Sequence, residues 1–125
     1  MSASRFPSPI AGYDIHVYFY QDDPVQVQSA SALHARIAKT FPEIRLCSMC
    51  PQPVGPHITG MFQVIIETPE QFSQIVPWIA LNRNEHSVLV HPHSGNEVLD
   101  HSKYAMWIGE RLPVNLELLR RYFSS

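Results

Sequence analysis

Apolar and polar residues alternate from Tyr13 to Tyr20. Tyr13, Ile15, Val17 and Phe19 fall on one side, and Asp14, His16, Tyr18 and Tyr20 on the other. A period of two is that of a strand with two unlike faces. The period then changes. Val27, Ala30, Leu33, Ile37 and Phe41 recur at steps of three or four, after an Asp23-Pro24 pair suited to opening a helix and before Pro42, which stops it. A short strand is predicted over 44–49, a Pro- and Gly-rich loop over 50–60 and another strand over 61–68. Thr68 and Pro69 open a second helix with Phe72, Ile75, Val76 and Ile79 on its buried side. Pro77 interrupts it, so a kink or a restart is expected. Asn82 to Asn84 end that helix, and Ser87 to Val90 form a fourth strand. The tail begins with a short helix after His101. Pro113 divides this from 114–123, where Val114, Leu116 and Leu118 fit either a strand or a helix.

Strand, helix, strand, strand, helix, strand is the ferredoxin-like βαββαβ order. The expected fold is α+β: an antiparallel four-stranded sheet with helices on one face. Residues 1–12 read as an N-terminal arm and 13–125 as a single domain. Ile15, Val17 and Phe19 should meet the helices. His16, Gln63 and His91 then share the opposite face, which loops, the tail or a second subunit must cover. An apolar tail from Val114 to Phe123 adds to the case for a homodimer.

Composition narrows the classes. The chain has 125 residues, 45% hydrophobic and 16% charged, with a net charge of -2. One domain with a core of its own is expected. There is no basic stripe, so nucleic acid is not an expected partner. No apolar run approaches the ~20 residues that span a bilayer, and the N-terminus carries no apolar signal core. A cytoplasmic protein without a membrane partner is the expectation. Cys47 and Cys50 form a lone CxxC followed by Pro51 and Pro53, and read as two reduced thiols.

The chemistry lies in seven histidines, at 16, 34, 57, 86, 91, 93 and 101. His34 reads as a helix-surface residue and His86 as a turn residue. His91 ends a strand that fixes its direction. His93 follows Pro92 into a loop with a mobile backbone and is not expected to bind metal. Neutral imidazole offers iron or zinc one directed lone pair. Asp100 beside His101 could accept from it and fix its tautomer. No HExxH, nucleophile motif or phosphate loop is present. Spacing alone leaves a shared metal site and separate structural histidines both open.

The segments "YDIHVYF", "VGPHITGMFQV", "WIALNRNEHSVLVHPHSG" and "DHSKYAMWIG" together resemble the DOPA 4,5-dioxygenase-like family of ring-cleaving enzymes, over roughly residues 13–112. The resemblance implies a ferredoxin-like, oligomeric protein that opens a catechol ring by extradiol cleavage with O2 and non-haem Fe(II), zinc or another divalent ion being able to take the same place. It implies His16, His57 and His91 as metal ligands, with His101 either a fourth ligand or an acid–base group assisted by Asp100. If the 50–60 loop does not fold back over the open face, His16, His91 and His101 are the better triad. Tyr18 and Trp107 could stack on the substrate ring or simply pack. Arg83 could hold a substrate carboxylate, or meet carbonyls at the end of its helix. The competing function is a non-catalytic metal- or ligand-binding domain of the same dimeric architecture.

Overall fold

The computed structural model describes residues 4–123. Its elements are β1 (Tyr13–Phe19), α1 (Pro24–Thr40), β2 (Arg45–Leu46), β3 (Gly60–Ile66), α2 (Pro69–Asn82), β4 (Val88–Pro92), α3 (Glu97–Asp100), β5 (Met106–Ile108) and α4 (Leu116–Phe123). The sheet has five strands in the order β2-β3-β1-β4-β5, and every neighbouring pair is antiparallel. Four strands were expected. The fifth, β5, lies where a short helix was expected. Its three residues are too few to show a period, and pairing with the edge of β4 defines it.

Local chemistry sets the helix boundaries. An Asp23 side-chain oxygen accepts the Val25 N–H at 3.0 Å, and Thr68 Oγ1 accepts that of Gln71 at 3.2 Å. Both are N-caps with proline at the start of the helix. α2 runs through Pro77 as one 14-residue helix rather than restarting. Proline removes a single N–H donor, and the fully buried Ile75 and Ile79 flank it and hold the helix on the sheet. Ala30, Leu33 and Ile37 of α1 and Ile75 and Ile79 of α2 pack with Ile15, Val17, Phe19, Phe62, Val64, Ile66, Val88 and Val90. Gly60 pairs with Phe19 across β3 and β1. A Cβ there would lie 2.7 Å from the Phe19 ring, so only glycine fits.

The other sheet face is covered by the chain itself. Tyr18, Met61 and Leu89 are buried beneath Cys50, Ala105, Trp107, Leu112 and Val114. The 50–59 loop and the tail segment over this face are tied together: the Asn115 N–H donates to the Pro56 carbonyl at 2.7 Å. Past Pro113 the ambiguous stretch is helical, as α4, with Leu119 buried. The end of the arm extends the sheet, for the His93 N–H donates to Gly12 O and the Ala11 N–H to His93 O, both at 2.9 Å. Among the described residues, no helix is long and apolar enough to cross a membrane.

Candidate metal centre

Strand register brings the first two histidines together. Asp14 stands opposite His91, and His16 opposite Leu89. His16 and His91 are therefore diagonal neighbours on the face away from α1 and α2, with their Nε2 atoms 3.1 Å apart. Loops deliver the other two. A turn in which the His57 N–H donates to Val54 O brings His57 over the face, and its ring lies 4.1 Å from that of His16. α3, capped by the Asn96 side chain at the Leu99 N–H, ends on His101, whose ring lies 4.0 Å from that of His91. All four side chains are buried.

The hydrogen-bond partners assign the tautomers. A carbonyl oxygen only accepts. His91 Nδ1 therefore carries a hydrogen, donated to Pro92 O at 3.1 Å, and His101 Nδ1 carries one donated to Glu97 O at 2.8 Å. In the neutral rings each is left with its lone pair on Nε2. This is how metal-binding imidazoles are oriented from behind. His16 Nδ1 is buried with no partner, and its Nε2 meets the Nε2 lone pair of His91. Two nitrogens bound to one such ion at the usual angles lie roughly 2.9–3.4 Å apart. The observed 3.1 Å fits a shared cation.

Burial and mutual repulsion keep His16, His57 and His91 neutral. His16 is held well below the ordinary imidazole value, first by desolvation and then by the other histidines. Desolvation, with smaller contributions from His101 and His91, lowers His57 to about 4. Desolvation and His101 lower His91 to about 4. Lone pairs are thus available at neutral pH. Burial raises the Tyr18 hydroxyl, which stays protonated, and its oxygen lies 2.7 Å from His57 Nδ1.

The expected site residues sort into two groups. His16, His91 and His101 offer ligand atoms all within 4.8 Å of one another. The 50–59 loop does fold back, but it sets His57 beside this trio and against Tyr18 rather than within it. Asp100 is fully buried and does not orient His101. Its carboxylate accepts from the Ser94 hydroxyl and from the Ser94 N–H. Successive residues at a helix end point about 100° apart, so neighbours in sequence need not share a partner. Arg83 caps α2, donates to His86 O at 3.0 Å and packs its guanidinium against Gly109. Its Nε is buried without a partner, and the carbonyl it meets lies in the loop after α2 rather than at the helix end. Trp107 stacks on Tyr18 with ring centroids 5.8 Å apart.

Three other histidines and the two thiols have their own places. The His93 backbone is tied to the arm rather than mobile, and its Nε2 meets Asp14 Oδ1 at 2.9 Å. His34 is half-buried and donates to Cys47 O at 2.8 Å, rather than lying free on the helix surface. His86 is buried. It donates from Nδ1 to Tyr18 O and accepts the Ser29 hydroxyl at Nε2, both at 2.9 Å, stapling α1 to the start of β4. Cys47 and Cys50 are free. Asp14, which alternation already put on the face of His16, lies beside the trio, with Oδ2 3.8 Å from His91 Nε2.

An α+β domain with a buried trio of imidazoles, two of them turning their N–H groups outward onto carbonyls, has the donor set of a histidine-ligated divalent-metal protein. Comparison with known proteins narrows this class. The chain belongs to the Dopa 4,5-dioxygenase family, whose profile matches residues 13–118. It is 30% identical to the DOPA 4,5-dioxygenase of Amanita muscaria over 114 residues, which are 87% of this chain and 50% of that protein. It thus spans half the length of that relative. It is 37% identical to an uncharacterised 21.2 kDa protein of Botryotinia fuckeliana, over 96% of this chain and 72% of the other. A crystal structure from Nostoc punctiforme, provisionally described as a dioxygenase, superposes with a TM-score of 0.82. It is 40% identical, with 90% of this chain and 94% of that one covered. These relationships support an oxygenase role.

Proposed function

We propose that the chain is a non-haem Fe(II)-dependent extradiol dioxygenase that opens a catechol ring with O2. The observation that carries this is the convergence of His16, His91 and His101, with the Nδ1–H groups of His91 and His101 held by carbonyls. These three hold the metal. Iron(II), when bound, supplies the redox chemistry that joins O2 to an electron-rich ring. His57 and Tyr18 move the proton. When His57 Nδ1–H donates to the Tyr18 oxygen, His57 Nε2 is a bare lone pair that can take a substrate hydroxyl proton. In the other tautomer the Tyr18 hydroxyl donates to Nδ1, and Nε2 then already carries a hydrogen and cannot act as the base. Trp107, Leu112 and Val114 pack over this face and limit water.

The architecture supports further parts of this reading. The order β2-β3-β1-β4 supports a ferredoxin-like domain over 13–125, to which β5 is added. The exposed apolar side chains of Tyr104, Met106 and Tyr122 support a homodimer. The closeness of His57 to His16 favours one competing reading, a closed four-imidazole site in a non-catalytic metal-binding domain. Anaerobic reconstitution with iron(II), then oxygen and a panel of catechols, separates the two. The expected result is the yellow ring-opened semialdehyde with iron and none with zinc. Bound iron and no semialdehyde from any catechol would contradict the enzyme.

A further inference from the structure

Asp14 has one carboxylate oxygen engaged by the chain and one that is not. It is 6% exposed and lies opposite His91 on the face that carries His16. One oxygen, Oδ1, is engaged by His93 Nε2 at 2.9 Å. The other, Oδ2, makes no hydrogen bond among the described residues. It lies 3.8 Å from His91 Nε2. That nitrogen offers it no hydrogen, because the His91 hydrogen sits on Nδ1 and is donated to Pro92 O. A carboxylate oxygen thus faces an imidazole lone pair across a gap too long for a hydrogen bond. Among the described residues the sealed side-chain atoms without a partner are His16 Nδ1 and Arg83 Nε, so Oδ2 keeps an opening through which a donor from outside the chain can reach it.

We propose that Asp14 binds a hydroxyl hydrogen of the substrate beside His91, and that His93 is the positioning residue that aims it. This rests on the catechol reading above. A diol seated at the histidine trio brings an O–H donor to the place where Oδ2 lacks one. An O–H to carboxylate bond is charge-assisted, roughly twice as strong as a neutral one. His93 suits its part, since its ring is only partly covered and its backbone is pinned to Gly12 and Ala11. It therefore holds Asp14 from the solvent side. No other side chain among the described residues is within ion-pair reach of Asp14 besides His91 and His93.

The test is anaerobic binding of 4-nitrocatechol to the iron(II)-loaded protein, followed by absorbance, with bound metal and thermal melting measured on every variant. Asp14→Asn is expected to keep its metal and bind nitrocatechol about tenfold or more weakly, the loss for a hydrogen bond to a charged group. His93→Gln, which retains an N–H donor, is expected to stay close to the wild type, and His93→Ala to fall between the two. Unchanged binding in Asp14→Asn overturns the proposal. So does loss of metal from that variant, which would make Asp14 a support of the metal itself. Equal binding in His93→Ala and wild type removes the positioning role. Should the iron-loaded wild type bind no nitrocatechol, the catechol reading fails first, and the proposal with it.

Discussion

His91 and His93 stand two residues apart and serve different partners. His91 turns its Nε2 to His16 and anchors Nδ1 on a carbonyl, whereas His93 gives its Nε2 to Asp14. His91→Ala is therefore expected to abolish metal binding and His93→Ala to keep it, by metal analysis of folded protein. The reverse pattern would contradict the ligand assignment. Protonation belongs to the same scale. Protons compete for the lone pairs that bind the metal. Exposed histidines lose that competition near pH ~6.5, but of the ligands His91 is held to about 4 and His16 is held well below the ordinary value. Bound metal should therefore survive at pH 6 and be released only toward pH 4. Release complete by pH 6 would show that these rings are not buried as described.

The elements explain what could be read in advance. Alternation in β1 placed His16 and Ile15 on opposite faces, and alternation in β4 placed His91 beside Leu89; both follow from the strand period alone. The caps Asp23 and Thr68 were legible because their residue types have few competing uses before a proline. The positions of His57 and His101 were not legible. Their directions are set by a loop turn and by the end of a four-residue helix, and neither has a period. Asp100 looked like a partner of His101 because it is adjacent in sequence, but helix rotation sends it to Ser94. β5 was missed because its identity is a matter of pairing, through Leu89 opposite Trp107. The contribution of this strand can be measured. Trp107→Ala removes the ring stacked on Tyr18 and should cost about 2 kcal/mol in a urea melt, less than for a fully buried tryptophan. An unchanged midpoint would mean that the tail merely rests on the sheet.

At the scale of the molecule, the buried histidines make the metal-free protein acid-sensitive. Below about pH 6.5 the unfolded chain takes up protons that His57 and His91, folded, accept only near 4. Stability should therefore fall as pH drops through this window, by on the order of a few kcal/mol, and level off above it. His93 has the opposite sign. Its value is raised by Asp14, so its contribution is present at low pH and is lost as pH rises past its folded value. Thermal melts of metal-free protein that do not change between pH 7 and pH 4.5 would refute the buried neutral cluster. Light scattering should give twice the 14.3 kDa chain mass, and a monomer at micromolar concentration would rule out the homodimer. The central claim is that three histidines hold a metal and leave room for substrate. X-ray absorption on protein loaded with one equivalent of iron(II) tests it most directly. The account predicts an imidazole shell from His16, His91 and His101 together with oxygen ligands that a catechol displaces. A closed shell of four imidazoles, unchanged when catechol is added, would contradict it.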